Sequence, residues 1–144
     1  MTVVVGVDGA PGSYAAIRLA LREAQFRDSP LIAVMAFAGE SMMGGTPARP
    51  ASTLNTAEQR TITEATLRQV VRDALGEDAA AGVDTRVIQG VPGHALVQAA
   101  REEGAQMVVL AARGDGAVSR LLGTVSQFVL RNAPCPVLVV PAES

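Results

Sequence analysis

The stretch TVVVGVDGAPGS, Thr2 to Ser13, decides the fold. Thr2 to Asp8 is a Val-rich run that is continuous rather than alternating. A strand with one wet face alternates apolar and polar residues, whereas a continuous run marks a strand covered on both faces. Gly9-Ala10-Pro11-Gly12 breaks the run as a turn cluster. Ser13 to Arg27 then reads as a helix. Ile17, Leu21 and Ala24 make its apolar stripe, and Arg18, Arg22 and Gln25 lie on another face.

The same pattern recurs along the chain. Leu31 to Phe37 (LIAVMAF) is a second apolar run. Ala38 to Asn55 is rich in Gly, Pro, Ser and Thr and reads as a long loop, a feature that in a compact domain is functional or mobile. Thr56-Ala-Glu-Gln59 has capping-box form and starts a helix with Leu67, Val70, Val71, Ala74 and Leu75 on its apolar face. Val83 to Gln89 alternates, as an edge strand does. Pro92 opens a helix that runs to Glu103 and stops at Gly104. Gln106 to Ala111 is a buried strand. Leu121, Val125, Phe128 and Val129 mark a helix ended by Pro134, and Pro136 to Val140 is a last strand closed by Pro141. Strands alternating with helices give an α/β, doubly wound, five-stranded parallel sheet with helices on both faces. Residues 1–144 form one domain on length.

Composition removes several function classes. The formal net charge is -2, so no basic excess supports nucleic-acid binding. The sequence has no Lys, which excludes a Walker P-loop and Schiff-base chemistry. Its single cysteine, Cys135, leaves no intrachain disulfide and reads as a packing residue. Its single histidine, His94, excludes a histidine-cluster metal site. No apolar run approaches the ~20 residues that span a bilayer, so a cytoplasmic protein with no membrane partner is expected. Aromatics are 3%, so Val, Leu, Ile and Ala must build the core.

Open parallel sheets bind ligands beyond the carboxyl ends of their strands. Two strand exits carry suitable residues: Gly6-Val7-Asp8-Gly9 and Ala111-Ala112-Arg113-Gly114. The dinucleotide fingerprint G-x-G-x-x-G is absent from the first exit. Thr124-Val-Ser-Gln127 has capping-box form, with Thr124 as the expected N-cap. The amides of Val125, Ser126 and Gln127 would then either bind an anion or simply be capped.

The chain resembles the universal stress proteins over nearly its whole length. The matching pieces are VVVGVDG at Val3 to Gly9, VMAF at Val34 to Phe37, GVPGHALVQAA at Gly90 to Ala100, and MVVLAARG at Met107 to Gly114. The most specific is LLGTVSQFVLRNAPCPVLVV, Leu121 to Val140. The resemblance implies strand order 3-2-1-4-5, which sets the two exits side by side. It implies that Asp8 lies near the ribose and adenine of a bound nucleotide and that Ala36 borders the adenine. It implies that backbone amides at Ala111, Gly114, Gly123, Thr124 and Val125 hold the phosphates. It also implies a homodimer through strand 137–140, where flanking prolines confine pairing to a short stretch.

This chain departs from the family's phosphate loop at two points. Ala111 stands where the first glycine is expected, a cost of about 1 kcal/mol if the position needs a positive φ. Only eight residues, Asp115 to Leu122, separate Gly114 from Gly123, one fewer than in ATP-binding members. Arg113 and Arg120 either neutralise phosphate or stand solvated. Asp115 either helps to hold Mg²⁺ or is a solvated loop carboxylate. Arg113-Gly114-Asp115 belongs to the glycine loop and is not an adhesion motif.

The resemblance therefore implies a stress-response module that binds ATP, or AMP or ADP, with little or no turnover. The alternative is a dimeric, partner-binding protein that has lost the nucleotide because its loop is altered. An adenylyl-transferring enzyme lacks a general base, nucleophile or metal cluster beyond isolated Asp8 and Asp115.

Overall fold

The structure, a computed structural model, describes residues 1–8, 12–39, 54–112 and 123–141. The strands are β1 (Thr2–Gly6), β2 (Leu31–Phe37), β3 (Asp84–Gln89), β4 (Ala105–Ala111) and β5 (Val137–Val140). The helices are α1 (Gly12–Phe26), α2 (Thr56–Leu75), α3 (Glu77–Ala80), α4 (Pro92–Glu102) and α5 (Thr124–Asn132). All strand pairs are parallel, in the order β3-β2-β1-β4-β5.

β1 is the central strand, and its continuous valines are divided between two cores. Val3, Val5 and Val7 face α1 and α2, where they pack with Ile17, Leu67 and Val71. Val4 faces α4 and α5, with Leu96, Ala100 and Val129. Val3, Val4 and Val5 are all fully buried, each contributing about 1.5–3 kcal/mol relative to exposure. β4 repeats the division: Val109 goes to the first core, Val108 and Leu110 to the second.

The α1 stripe faces the sheet as its spacing predicts, and Ser13, Ala16 and Ala20 extend it. Small residues there let the helix lie close to the strands. On the other face, Gly93 meets Phe128 so closely that an added Cβ would sit 3.1 Å from its ring. That ring also stacks on His94, with centroids 4.0 Å apart, so His94 packs at the α4–α5 contact.

The structure differs from the sequence reading at several elements. α3 is an extra turn between α2 and β3, entered through Gly76 at φ 84. The α2 cap lies one residue earlier than expected. Asn55, not Thr56, is the N-cap; its side chain accepts from the Glu58 amide at 2.8 Å, and Glu58 returns to the Asn55 amide. Gln59 is thereby released and turns inward. Its Oε1 accepts from the Gly39 amide at 3.0 Å, and its Nε2 donates to the Leu54 carbonyl at 3.2 Å. One buried side chain therefore ties together both ends of the expected 38–55 loop, of which residues 40–53 lie outside the described part.

Candidate functional site

The cleft opens beyond the carboxyl ends of β1 and β4, where strand order reverses. β1 runs out into Val7 and Asp8, and Val7 still donates to the Val34 carbonyl, so the extended backbone continues past the strand. Beside it β4 ends at Ala111, whose Cα partner on β5 is Val140. The cavity measures about 220 Å³. Its floor is apolar: Val34 and Ala36 from β2, Ala95 and Leu96 from α4, and Leu110 from β4. Its polar wall is made by Asp8, Ser13 and the first turn of α5.

Gly6 lets the floor form. A Cβ there would lie 2.7 Å from Leu96 Cδ2. Leu96 can cross β1 at this depth only because no side chain projects from the strand. Gly6 and Leu96 both line the cleft.

At the polar wall, the Ser13 hydroxyl donates to Asp8 Oδ1 at 2.7 Å and accepts from the Asp8 amide at 3.3 Å. Ser13 is buried on the first turn of α1, while Asp8 is exposed to the cleft. The sequence reading missed Ser13, since a serine at a helix start is an ordinary capping residue. The signal lay in its distance of five residues from Asp8.

The N-terminus of α5 corrects the expected cap. Gly123 is the N-cap, at φ -65 and ψ 166, and among the described residues no side chain caps the helix. Thr124 is already the first helical residue, because Gln127 donates to the Gly123 carbonyl at 3.0 Å. The expected box between Thr124 and Gln127 is therefore not formed. The amides without an acceptor inside the helix shift by one, to Thr124, Val125 and Ser126. All three residues line the cleft, and the positive end of the helix dipole lies there with them. Val125 was expected on the buried face of this helix; it is 37% exposed, and Ser126 is buried instead.

Ala111 carries no left-handed strain. It is an extended strand residue, and among the described residues Asp28 alone, glycines aside, has positive φ. The cost feared for alanine at this position does not arise.

Six of the seven positions singled out from the sequence therefore share one cleft: Asp8, Ala36, Ala111, Gly123, Thr124 and Val125. Gly114 lies outside the described residues, as do Arg113, Asp115 and Arg120. Among the described residues no group of three His, Cys, Asp or Glu could hold a metal ion, and no helix is long and apolar enough to cross a membrane. Cys135 stands away from the cleft before β5, and partial burial pushes its thiol pKa up.

The family model for the universal stress protein family matches residues 1–141. The chain belongs to the universal stress protein family. Among its relatives is a universal stress protein of Mycolicibacterium smegmatis, 37% identical over 98% of this chain. The chain spans about half, 48%, of that longer protein. A universal stress protein of Thermus aquaticus is 34% identical, with 96% of this chain and 97% of the relative aligned. Among solved structures, a universal stress protein in complex with cAMP is 30% identical with TM-score 0.68, covering 97% of this chain and 95% of the other. The likeness thus embraces the whole sheet, including the two strand exits that form the cleft.

Proposed function

We propose that this universal stress protein binds an adenine nucleotide in the cleft beyond β1 and β4, and acts as a regulatory module with little or no turnover. The observation that supports this most is the convergence of Asp8, Ala36, Ala111 and the first turn of α5 on one cavity. Val34, Ala36 and Leu96 offer an apolar slot for a base. Asp8 offers an acceptor for sugar hydroxyls, and the α5 amides offer donors to an anion. The cavity is small beside the roughly 300–1,000 Å³ of drug-sized sites, so base and sugar enter it while phosphates lie toward the rim. The similar protein solved with cAMP supports the choice of adenine.

Calorimetric titration with ATP, ADP and AMP tests the reading. Binding tighter than about 1 mM, roughly -4 kcal/mol, is expected for at least one of them. Absence of heat at that concentration would refute it. With one Tyr and no Trp, co-purified adenine would also show at 260 nm.

The Gly114–Gly123 spacing, one residue short of the ATP-binding pattern, favours a second reading: a partner-binding protein without nucleotide. Titration separates the two. In either reading we take β5 as the dimer strand. It is an edge strand, partly buried along Val137 to Val139 in the single chain. Light scattering of the parent and of Val139→Lys checks this, and a parent that scatters as a monomer would exclude it.

A further inference from the structure

We infer that Ser13 is a positioning residue for Asp8, and that its hydroxyl sets the orientation in which the cleft presents that carboxylate to a ligand's sugar hydroxyls. The inference rests on the nucleotide reading above. A serine hydroxyl has one proton to give, and here it goes to Asp8 Oδ1 at 2.7 Å. The same oxygen accepts from the Asp8 amide at 3.3 Å, so backbone and side chain of one residue are held by one group. Ser13 is 2% exposed and belongs to a helix that packs on the sheet, which makes it a fixed anchor. Asp8 is exposed and lies on an irregular segment.

A carboxylate that must be ordered on binding loses rotamer freedom at that moment. One already held by a buried hydroxyl does not, and the difference appears as affinity. The hydroxyl also uses one lone pair of Oδ1 and leaves the carboxylate an acceptor overall, as recognition of a ribose hydroxyl requires.

The simpler alternative is that Ser13 only stabilises the start of α1. A double-mutant cycle with the full chain distinguishes the two. AMP and its 2′-deoxy and 3′-deoxy analogues are titrated into the parent, Ser13→Ala, Asp8→Ala and the double variant, with melting temperatures recorded for each. Ser13→Ala is expected to weaken AMP binding about tenfold in the parent and to change it little in the Asp8→Ala background. It should also shrink the preference for AMP over whichever deoxy analogue the parent discriminates against. An equal loss of AMP affinity in both backgrounds, with the preference unchanged, would overturn the positioning role while leaving nucleotide binding intact. A parent that binds none of the three would overturn this inference, and one that binds neither ATP nor ADP besides would overturn the nucleotide reading as well.

Discussion

Gly6→Ala tests whether the cleft floor is shared between folding and binding. The new methyl carbon would sit 2.7 Å from Leu96 Cδ2, 3.4 Å from Cδ1 and 3.6 Å from Cγ. Carbon atoms prefer about 3.5–4.0 Å, so Leu96 must retreat by nearly 1 Å at its tip. Leu96 is 3% exposed and packed among Val34, Leu110 and Val129, so most directions are closed. The open direction is the cleft, which Leu96 already lines. Overpacking typically costs about 1–3 kcal/mol; removing a glycine from a strand recovers about 0.5 kcal/mol. A net loss of about 1 kcal/mol is expected, or roughly 3–4 °C in melting temperature for a chain of this size. The affinity for adenine nucleotide should fall further, by tenfold or more, because the displaced side chain occupies the base slot. Leu96→Val in the same chain should recover binding, since it removes the atom that collides. Urea denaturation and calorimetry on the two single variants and the double variant measure both effects. Unchanged affinity in a folded Gly6→Ala protein would refute the placement of the base against Leu96.

Three further perturbations follow from the same geometry. Gly123→Ala should leave stability within about 1 kcal/mol, because φ -65 suits any residue, yet weaken nucleotide binding by placing a methyl group at the α5 N-terminus; denaturation and titration report the two separately, and a large stability loss with intact binding would contradict it. Gln59→Leu should cost about 2 kcal/mol by taking the acceptor from the buried Gly39 amide, read as a lower urea midpoint; an unchanged midpoint would contradict it. The Cys135 thiol should react slowly with a disulfide reagent near pH 8. Burial raises its pKa, so the thiolate fraction at a given pH is lower than in a free thiol and climbs only at higher pH; a rate equal to that of free cysteine would show the shift to be absent.

Much of the site was legible before folding was considered, though not its fine register. Asp8 was legible as the polar residue at the exit of the first strand, and its ligand role, like that of Gly123, came from the resemblance to the universal stress proteins. At both places the cap lies one residue earlier than expected. Asn55-x-x-Glu58 and Thr56-x-x-Gln59 are overlapping boxes with nearly equal local energies. Asn55 wins because Gln59 gains two hydrogen bonds, a buried one from the Gly39 amide and a part-buried one to the Leu54 carbonyl. At α5 the box of Thr124 and Gln127 loses to a helix that begins one residue after Gly123, leaving the amides of its first turn at the cleft. Ser13 escaped notice because its role is a pairing with Asp8, not a local preference.

The architecture follows from local pattern. Continuous apolar runs alternating with amphipathic helices can be buried only as a sheet covered on both faces, and that pattern is local and periodic. Tertiary structure alone decided the cleft. β1 and β4 are separated by some hundred residues of chain, and only the strand order brings Asp8 beside Ala111 and the start of α5. It also decided that Ala111 is unstrained, that Leu96 fills the gap at Gly6, and that Ser13 holds Asp8. Those facts depend on distances between elements, which no single segment encodes.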